Sequence, residues 1–393
     1  MTRKNGVSAI TELHTPAFVY DENSILNNLS ILSKFRESFG CKILFPLKTF
    51  SIADALDVMT PAVNGFSVSS LFEAKLVREF LGYRGIVHIT TPGFRPDEIE
   101  DISKLCDYIS FNSLSQLKRF YHRAATQAKC GIRINPQLSF VEDCRYNPCR
   151  KHSKLGVPLD QLCAAWQSKS WFVKKINGIL FHTNCESKDI NQLLQTVKHI
   201  DKTLPELFAK LSWINLGGGY LFNNQDDLAP LAEAVNFIKN KYDVDIFFEP
   251  GKAIVGEAGS IVSTVLDIFS SDGKDIAVLD TTVNHMPEIF EYQIRPEVMQ
   301  ESIDGKYEYI LAGTTCLAGD LFGEYQFSRP LKTGSRIIFQ KVGAYTLVKA
   351  SMFNGVNLPM IYARTQDGKF ELKKQFDYEH FLSKCGGGTY ATV

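Results

Sequence analysis

The amino-acid sequence predicts an α/β fold, a TIM-type (β/α)8 barrel followed by a C-terminal antiparallel β-domain. Three observations support this. Eight short strand-like runs recur between residues 42 and 251, helix-like segments lie between most of them, and few helix-like segments follow Ile254. Strands that alternate with helices form a parallel sheet covered on both faces, and eight such units close a barrel. An open doubly wound sheet is the alternative.

Each predicted barrel strand is a short run of β-branched or aromatic residues that ends in a polar residue or glycine. In chain order these runs are KILFPLK (42–48), AVNGFSVS (62–69), GIVHITT (85–91), YISFNS (108–113), CGIRINP (130–136), INGILFHTN (176–184), LSWINLGGG (211–219) and DIFFEPG (245–251). Amphipathic segments such as SSLFEAKLVREFLG (69–82) have the apolar spacing of helices.

Beyond the barrel the sequence alternates as antiparallel strands do, with polar turns such as SSDGKD (270–275). The predicted strands are GSIVSTVLDIF (259–269), KDIAVLDTTV (274–283), YEYILAG (307–313) and SRIIFQKVGAYTLV (335–348). The early run PAFVY (16–20) is expected to join them. The domain prediction is therefore a barrel over residues 22–253 and a β-domain from residues 1–21 and 254–393.

Composition argues against several classes of protein. Lys and Arg total 43 and Asp and Glu total 43, and no basic stripe of the kind that binds nucleic acid is present. No apolar window is long enough for a membrane span or a secretory signal. The nine cysteines are an odd set without CxxC spacing, which predicts free thiols, no metal site and a cytoplasmic location.

Candidate catalytic residues lie at the predicted strand ends, which gather on one rim of such a barrel. Lys48 ends the first strand, where burial lowers the pKa of an ammonium group and makes an imine possible. Glu249, at the end of the eighth strand, is suited to keep a pyridine nitrogen protonated. The alternatives are a lysine that extends to solvent and a carboxylate that caps a helix.

Two further strand ends point to an anionic, aromatic ligand. Gly217, Gly218 and Gly219 allow backbone N–H groups to approach a phosphate, although a plain tight turn would need the same residues. His182 could lie flat against an aromatic ring, or be a core histidine that bonds to a backbone carbonyl.

The ordered set of motifs identifies a family. PLKTF around Lys48, HSKLGV, FHTNCE, LGGG, EPG, GTTCLAGD and GAYT resemble the fold type III pyridoxal-phosphate decarboxylases, which include the ornithine, arginine and diaminopimelate decarboxylases. The resemblance runs from PAFVYD to MFNGV. Within this family, HTNCES, CRYNPCRKHSKLG and GTTCLAGD are most similar to the carboxynorspermidine/carboxyspermidine decarboxylases.

The resemblance implies roles for the barrel residues. It implies that Lys48 holds pyridoxal 5′-phosphate as a Schiff base, that His182 stacks on the ring and that Glu249 pairs with the pyridine nitrogen. The three glycines and Tyr345 would hold the phosphate. The implied reaction is decarboxylation of a carboxypolyamine to norspermidine or spermidine and CO2.

The resemblance also implies roles for residues of the β-domain, in a homodimer with shared active sites. Cys316, with Asp320 close by, would come from the partner subunit and protonate the substrate α-carbon. Cys316, Asp320, His285 and Glu249 are the expected substrate contacts, and Glu288 or Glu291 could attract distal amines.

Three departures from the family pattern bear on the substrate. Lys252 follows EPG where relatives usually have arginine, and Leu317 follows Cys316 where they have an acidic residue. Ser67 replaces an acidic residue of some relatives. A decarboxylase of diaminopimelate or another basic amino acid, a non-catalytic pyridoxal-phosphate carrier, and an aldolase-type lysine without the cofactor are the alternatives.

Overall fold

The computed structural model describes residues 10–387. The chain forms two compact units. The barrel unit is Leu26–Ile254, and the β unit comprises the described residues up to Ile25 and those from Val255 onward. The predicted β-domain also includes residues 1–9 and 388–393, which lie outside the described part. No helix within residues 10–387 is long and apolar enough to cross a membrane.

The strands are numbered along the chain. Their bounds are β1 Ala17–Asp21, β2 Lys42–Pro46, β3 Gly65–Val68, β4 Ile86–Thr90, β5 Tyr108–Phe111, β6 Lys129–Asn135, β7 Val157–Pro158, β8 Gly178–Leu180, β9 Trp213–Asn215, β10 Asp245–Phe248, β11 Gly259–Ser271, β12 Lys274–Leu279, β13 Glu297–Val298, β14 Tyr307–Ala312, β15 Leu321–Phe327, β16 Arg336–Gln340, β17 Met360–Arg364 and β18 Phe370–Lys374.

The helices are numbered in the same way. Their bounds are α1 Glu22–Phe39, α2 Ala53–Met59, α3 Leu71–Leu81, α4 Ile99–Leu105, α5 Leu114–Ala124, α6 Leu159–Gln167, α7 Asn191–Thr203, α8 Pro205–Phe208, α9 Ala229–Lys239, α10 Lys252–Val255, α11 Pro287–Tyr292 and α12 Tyr378–Lys384.

Eight parallel strands of the barrel unit form a closed ring in the order β2-β3-β4-β5-β6-β8-β9-β10. Pairing of Phe247 in β10 with Lys42 in β2 completes the ring, which confirms the predicted barrel and excludes the open sheet. Every predicted barrel strand is present. The regular pairing ends earlier than predicted, as in β8, because the last residues of each run already belong to the loops of the rim.

Trp213 is one of the largest fully buried side chains of the barrel unit. It packs with Leu44, Tyr108 and Phe247 in a buried cluster. The neighbouring strands make room for its indole, because a Cβ atom at Gly178 would lie 1.9 Å from Trp213 Cε2. Helix α3 lies within the predicted amphipathic segment 69–82. At its N-terminus, the Ser70 side chain accepts a hydrogen bond from the N–H of Glu73.

The β unit is a mostly antiparallel sheet with two parallel pairs, β1 with β17 and β12 with β14. Strand β1, from the PAFVY run, lies between β11 and β17. A two-residue turn, Asp272–Gly273, joins β11 to β12 with positive φ at both residues, as the SSDGKD segment predicts. The prediction of one strand over residues 335–348 is wrong: β16 ends at Gln340, because Lys341 and Tyr345 have left-handed backbone.

Candidate active site

Lys48 lies immediately after β2, in a single helical turn formed by Leu47–Thr49. The residue is exposed to solvent, although neighbouring groups of the barrel surround its ammonium closely. Desolvation by these surroundings lowers the pKa of Lys48 from its usual 10.5, Glu249 opposes the shift, and Arg133 adds to it. The amine is therefore easier to deprotonate than an ordinary lysine, yet accessible to a ligand.

His182 follows β8 by two residues and is a neutral imidazole. Burial, and then the positive charges of Lys48 and Arg133, lower the pKa of His182 well below 6.5. The N–H of Gly218 donates to His182 Nδ1 over 3.1 Å. The ring orientation is thus tied to the glycine loop, and the ring proton lies on Nε2.

The loop Gly217–Gly219 packs against its neighbours too tightly for side chains. A Cβ atom would lie 2.4 Å from the Phe181 carbonyl oxygen at Gly217, 2.0 Å from that of Glu249 at Gly218, and 2.1 Å from that of Asn184 at Gly219. The N–H groups of Gly217 and Gly218 already donate to the side chains of Asn215 and His182.

Glu249 is the last of the predicted strand-end residues and follows β10 directly. It is buried, and its Oε1 accepts a 2.6 Å hydrogen bond from Asn215 Nδ2. Its backbone N–H also donates to the carbonyl oxygen of Gly217 over 2.6 Å. The structure therefore brings together the predicted residues Lys48, His182 and Glu249 with the glycine loop.

Sequence reasoning missed His88 and Asn215, and it gave no role to Arg133. All three are buried in the barrel unit. The signals were a lone histidine in the apolar run GIVHITT and an asparagine directly before LGGG. Either residue alone reads as an ordinary buried polar group.

In the β unit, Asp320 organises the loop that carries Cys316. Asp320 Oδ1 accepts from the N–H of Val283 over 2.8 Å, and Oδ2 accepts from the N–H of Thr315 over 3.0 Å. Cys316 is exposed, and its backbone N–H donates to Asn354 Oδ1 over 2.8 Å. The loop is thus fixed through its backbone while the thiol stays accessible.

His285 is buried close to Asp320. Its Nδ1 lies 3.0 Å from Thr281 Oγ1, and its Nε2 has no hydrogen-bond partner within the described part of the chain. Burial lowers the pKa of His285 to about 4, against a smaller opposing effect of Asp320. The predicted substrate contacts His285, Asp320 and Cys316 therefore belong to one neighbourhood of this unit.

Three further predicted residues lie in the β unit, namely Tyr345, Glu288 and Glu291. Tyr345 is half-buried and has a φ of 55° in the turns after β16. The Lys349 ammonium lies 3.8 Å from Glu288 and also pairs with Glu291. A substrate amine would have to share both carboxylates with Lys349.

This fold and this set of strand-end residues define a pyridoxal-phosphate enzyme of the barrel type. Residues 29–261 match the family model described as pyridoxal-dependent decarboxylase, pyridoxal binding domain. The chain belongs to the family of pyridoxal-dependent decarboxylases, as its motifs indicate.

Individual relatives cover nearly the whole chain. The carboxyaminopropylagmatine decarboxylase of Synechocystis is 36% identical over 96% of this chain and 97% of its own length. The carboxynorspermidine/carboxyspermidine decarboxylase of Herminiimonas arsenicoxydans is 32% identical over 94% and 99%. The crystal structure of carboxynorspermidine decarboxylase from Campylobacter jejuni, complexed with norspermidine, superposes with a TM-score of 0.85 at 30% identity, covering 95% of this chain and all of that one (100%).

The residues present fit pyridoxal 5′-phosphate. Lys48 supplies an amine with a lowered pKa, Glu249 a buried carboxylate, and His182 a neutral ring held by a hydrogen bond. The glycine loop leaves no space for side chains. One departure has a structural counterpart, since Lys252 pairs with Glu186 at 2.6 Å.

Proposed function

We propose that this enzyme decarboxylates carboxynorspermidine or carboxyspermidine to norspermidine or spermidine, with pyridoxal phosphate held at Lys48. The main support is the convergence of the Lys48 amine, the neutral His182 ring and the Glu249 carboxylate at one rim of the barrel. The relatives named for carboxypolyamine substrates support the choice of substrate.

The bound cofactor supplies the electron sink that decarboxylation needs. Each protein group then has a separate task. Lys48 would attach the cofactor through its amine, Glu249 would hold a proton at the pyridine nitrogen, and His182 would pack on the ring without adding charge. The glycine loop would hold the phosphate, since Gly219, unlike Gly217 and Gly218, has an N–H that donates to no protein group among the described residues. Tyr345 is proposed as the second residue that would hold it.

Cys316 is proposed as the acid that returns a proton to the substrate α-carbon, from the partner subunit of a homodimer. Two observations support this. The thiol is exposed on a loop with fixed backbone, and Phe353 and Leu321 of the same unit are 43% and 48% exposed. Apolar surface around a proton donor suits a site that a second copy covers. Asp320 holds the loop, and His285 contacts substrate.

Shared sites can be tested by mixing impaired variants. Lys48→Ala and Cys316→Ala chains, each strongly impaired alone, should recover partial activity when they are mixed and allowed to exchange subunits. No recovery, with mixed dimers shown by mass spectrometry, would refute the shared site.

We also propose a cytoplasmic location, since all nine cysteines, each within the described residues, are free thiols.

Carboxyaminopropylagmatine is the second candidate substrate, because the Synechocystis relative named for it is 36% identical to this chain. It differs from the first candidates in bearing a guanidinium group at its distal end. Diaminopimelate is less well supported, since the Helicobacter pylori diaminopimelate decarboxylase is 25% identical.

The decisive experiment measures CO2 release at equal enzyme concentration from carboxynorspermidine, carboxyspermidine, carboxyaminopropylagmatine and diaminopimelate. We expect the highest kcat/KM with one of the first two compounds. A preference for carboxyaminopropylagmatine would transfer the proposal to that substrate. Turnover of diaminopimelate alone would refute both carboxypolyamine proposals.

A further inference from the structure

Three polar side chains inside the barrel are connected by hydrogen bonds. They are too far apart in sequence to belong to one motif. His88 on β4 and Asn215 on β9 are both 0% exposed, and Glu249, just after β10, is 6% exposed. Asn215 Nδ2 lies 2.7 Å from His88 Nδ1 and 2.6 Å from Glu249 Oε1. Burial of so many polar atoms is costly unless each has a partner.

The hydrogen bonds of Asn215 determine which atoms of this network donate and which accept. Its Oδ1 accepts from the N–H of Gly217 over 2.9 Å, which fixes the orientation of the amide. Both Nδ2 hydrogens are then donated, one to Glu249 and one to His88. His88 Nδ1 must therefore be unprotonated, and Nε2–H donates to Ser110 Oγ over 2.8 Å.

The charge state of His88 agrees with this assignment. Burial lowers the pKa of His88 to about 4, while Glu249 opposes the shift. A neutral His88 accepts from Asn215 at neutral pH. The Glu249 carboxylate, 3.7 Å from His88 Nδ1, is left with Asn215 as its side-chain donor among the described residues.

We infer that Asn215, oriented by His88, is a positioning residue that sets the Glu249 carboxylate against the pyridine nitrogen and ties it to the phosphate-binding glycine loop. One asparagine thereby connects the groups proposed for the two ends of the cofactor. The inference rests on the proposed role of Glu249. The alternative is a buried polar cluster that only stabilises the barrel.

If Asn215 positions Glu249, its loss should weaken cofactor binding through the pyridine nitrogen. If the cluster only stabilises the barrel, the effect of its loss on cofactor binding should not depend on that nitrogen. The test measures dissociation constants of pyridoxal phosphate and of its 1-deaza analogue, in which carbon replaces that nitrogen, for the full-length enzyme. We expect Asn215→Leu to weaken pyridoxal phosphate about tenfold more than the analogue, as loss of one hydrogen bond to a charged group predicts. Equal weakening of both compounds would overturn the inference.

A matched control and a milder variant complete the experiment. Asn184 is also buried beside the glycine loop, but its side-chain amide donates to Gln192 and Tyr220, so Asn184→Leu should weaken both compounds equally. His88→Phe keeps an aromatic ring against Trp213 and removes the acceptor for Asn215, and should change the ratio about threefold. An unchanged ratio in His88→Phe would also contradict the inference.

Glu249→Leu separates failure of the inference from failure of the proposed function. It should abolish the preference for pyridoxal phosphate over the analogue. A preference retained in Glu249→Leu would refute the role of Glu249 itself. A preference lost in Glu249→Leu but kept in Asn215→Leu would refute the positioning role alone.

Discussion

The candidate residues of the barrel unit bond to one another, whereas those of the β unit bond mainly to backbone. In the barrel, Asn215 joins Glu249 to the glycine loop, and that loop bonds to His182. In the β unit, Asp320 and Asn354 accept from backbone N–H groups and leave the Cys316 thiol exposed. The barrel is thus preorganised for a bound cofactor, and the β unit presents an exposed thiol, the group proposed as the proton donor.

The largest effect is expected from a substitution in the barrel unit. Lys48→Ala should lower kcat/KM on the order of 10⁴-fold or more, because the only proposed attachment for the cofactor is removed. Absorbance spectroscopy with and without borohydride should show that no imine forms. Lys42→Ala is the matched control. Lys42 lies at the other end of the same strand, paired with Asp245 at 2.7 Å, so its loss should leave the imine intact.

Cys316→Ala tests the β side and should have the next largest effect. Loss of a general acid should lower kcat about 10²- to 10⁴-fold while the imine absorbance remains. Stopped-flow kinetics and product analysis would separate CO2 release from protonation. Cys385, also an exposed free thiol, provides the control Cys385→Ala, which should retain activity. An unchanged rate and product in Cys316→Ala would remove the thiol from the mechanism.

The same comparison shows what the sequence could predict. Lys48, His182 and Glu249 were accessible to prediction because each lies at a strand end, and strand ends of a barrel share one rim. His88 and Asn215 were not. Their strands, β4 and β9, lie opposite each other in the ring, so their contact depends on closure of the barrel and on the inward direction of both side chains.

Backbone conformation limited the prediction for the β unit in another way. The segment around Tyr345 has the alternation of a strand, yet Lys341 and Tyr345 adopt positive φ and turn the chain. Neither residue type signals such a turn as glycine or asparagine would. Motifs therefore located Cys316 and Tyr345 in sequence, while the hydrogen bonds of Asp320 and Asn354 that shape the Cys316 loop became visible only in the structure.

Acid should destabilise both units through their buried histidines. The pKa of His88 and that of His285 are each lowered from 6.5 to about 4, mainly by burial. In this pH window the unfolded chain binds protons that the folded chain does not, so the free energy of unfolding falls as pH drops from 6.5 towards 4. The loss is on the order of 3 kcal/mol per histidine.

Denaturant titrations at several pH values, combined with hydrogen exchange in each unit, would measure these losses. His88→Phe should flatten the pH dependence of the barrel unit, and His285→Phe that of the β unit. An unchanged slope in either variant would mean that its histidine titrates normally. The comparison of pH slopes is unaffected by the pH-independent cost of each substitution.

The smallest effects are expected from two glycine substitutions. One glycine provides space for a neighbouring side chain, and the other allows a left-handed backbone conformation. Gly178 makes space for Trp213 in the barrel, so Gly178→Ala should cost about 2 kcal/mol of unfolding free energy through overpacking. Gly273 has open space around its Cβ position but a φ of +80°, so Gly273→Ala should cost about 1 kcal/mol through backbone strain alone. Equilibrium unfolding would compare them. Gly273→Asn should restore part of the loss, because asparagine tolerates left-handed backbone, whereas the loss at position 178 should be restored only if the Trp213 side chain is made smaller. Recovery of Gly178→Ala by Trp213→Phe would locate its cost in that one contact.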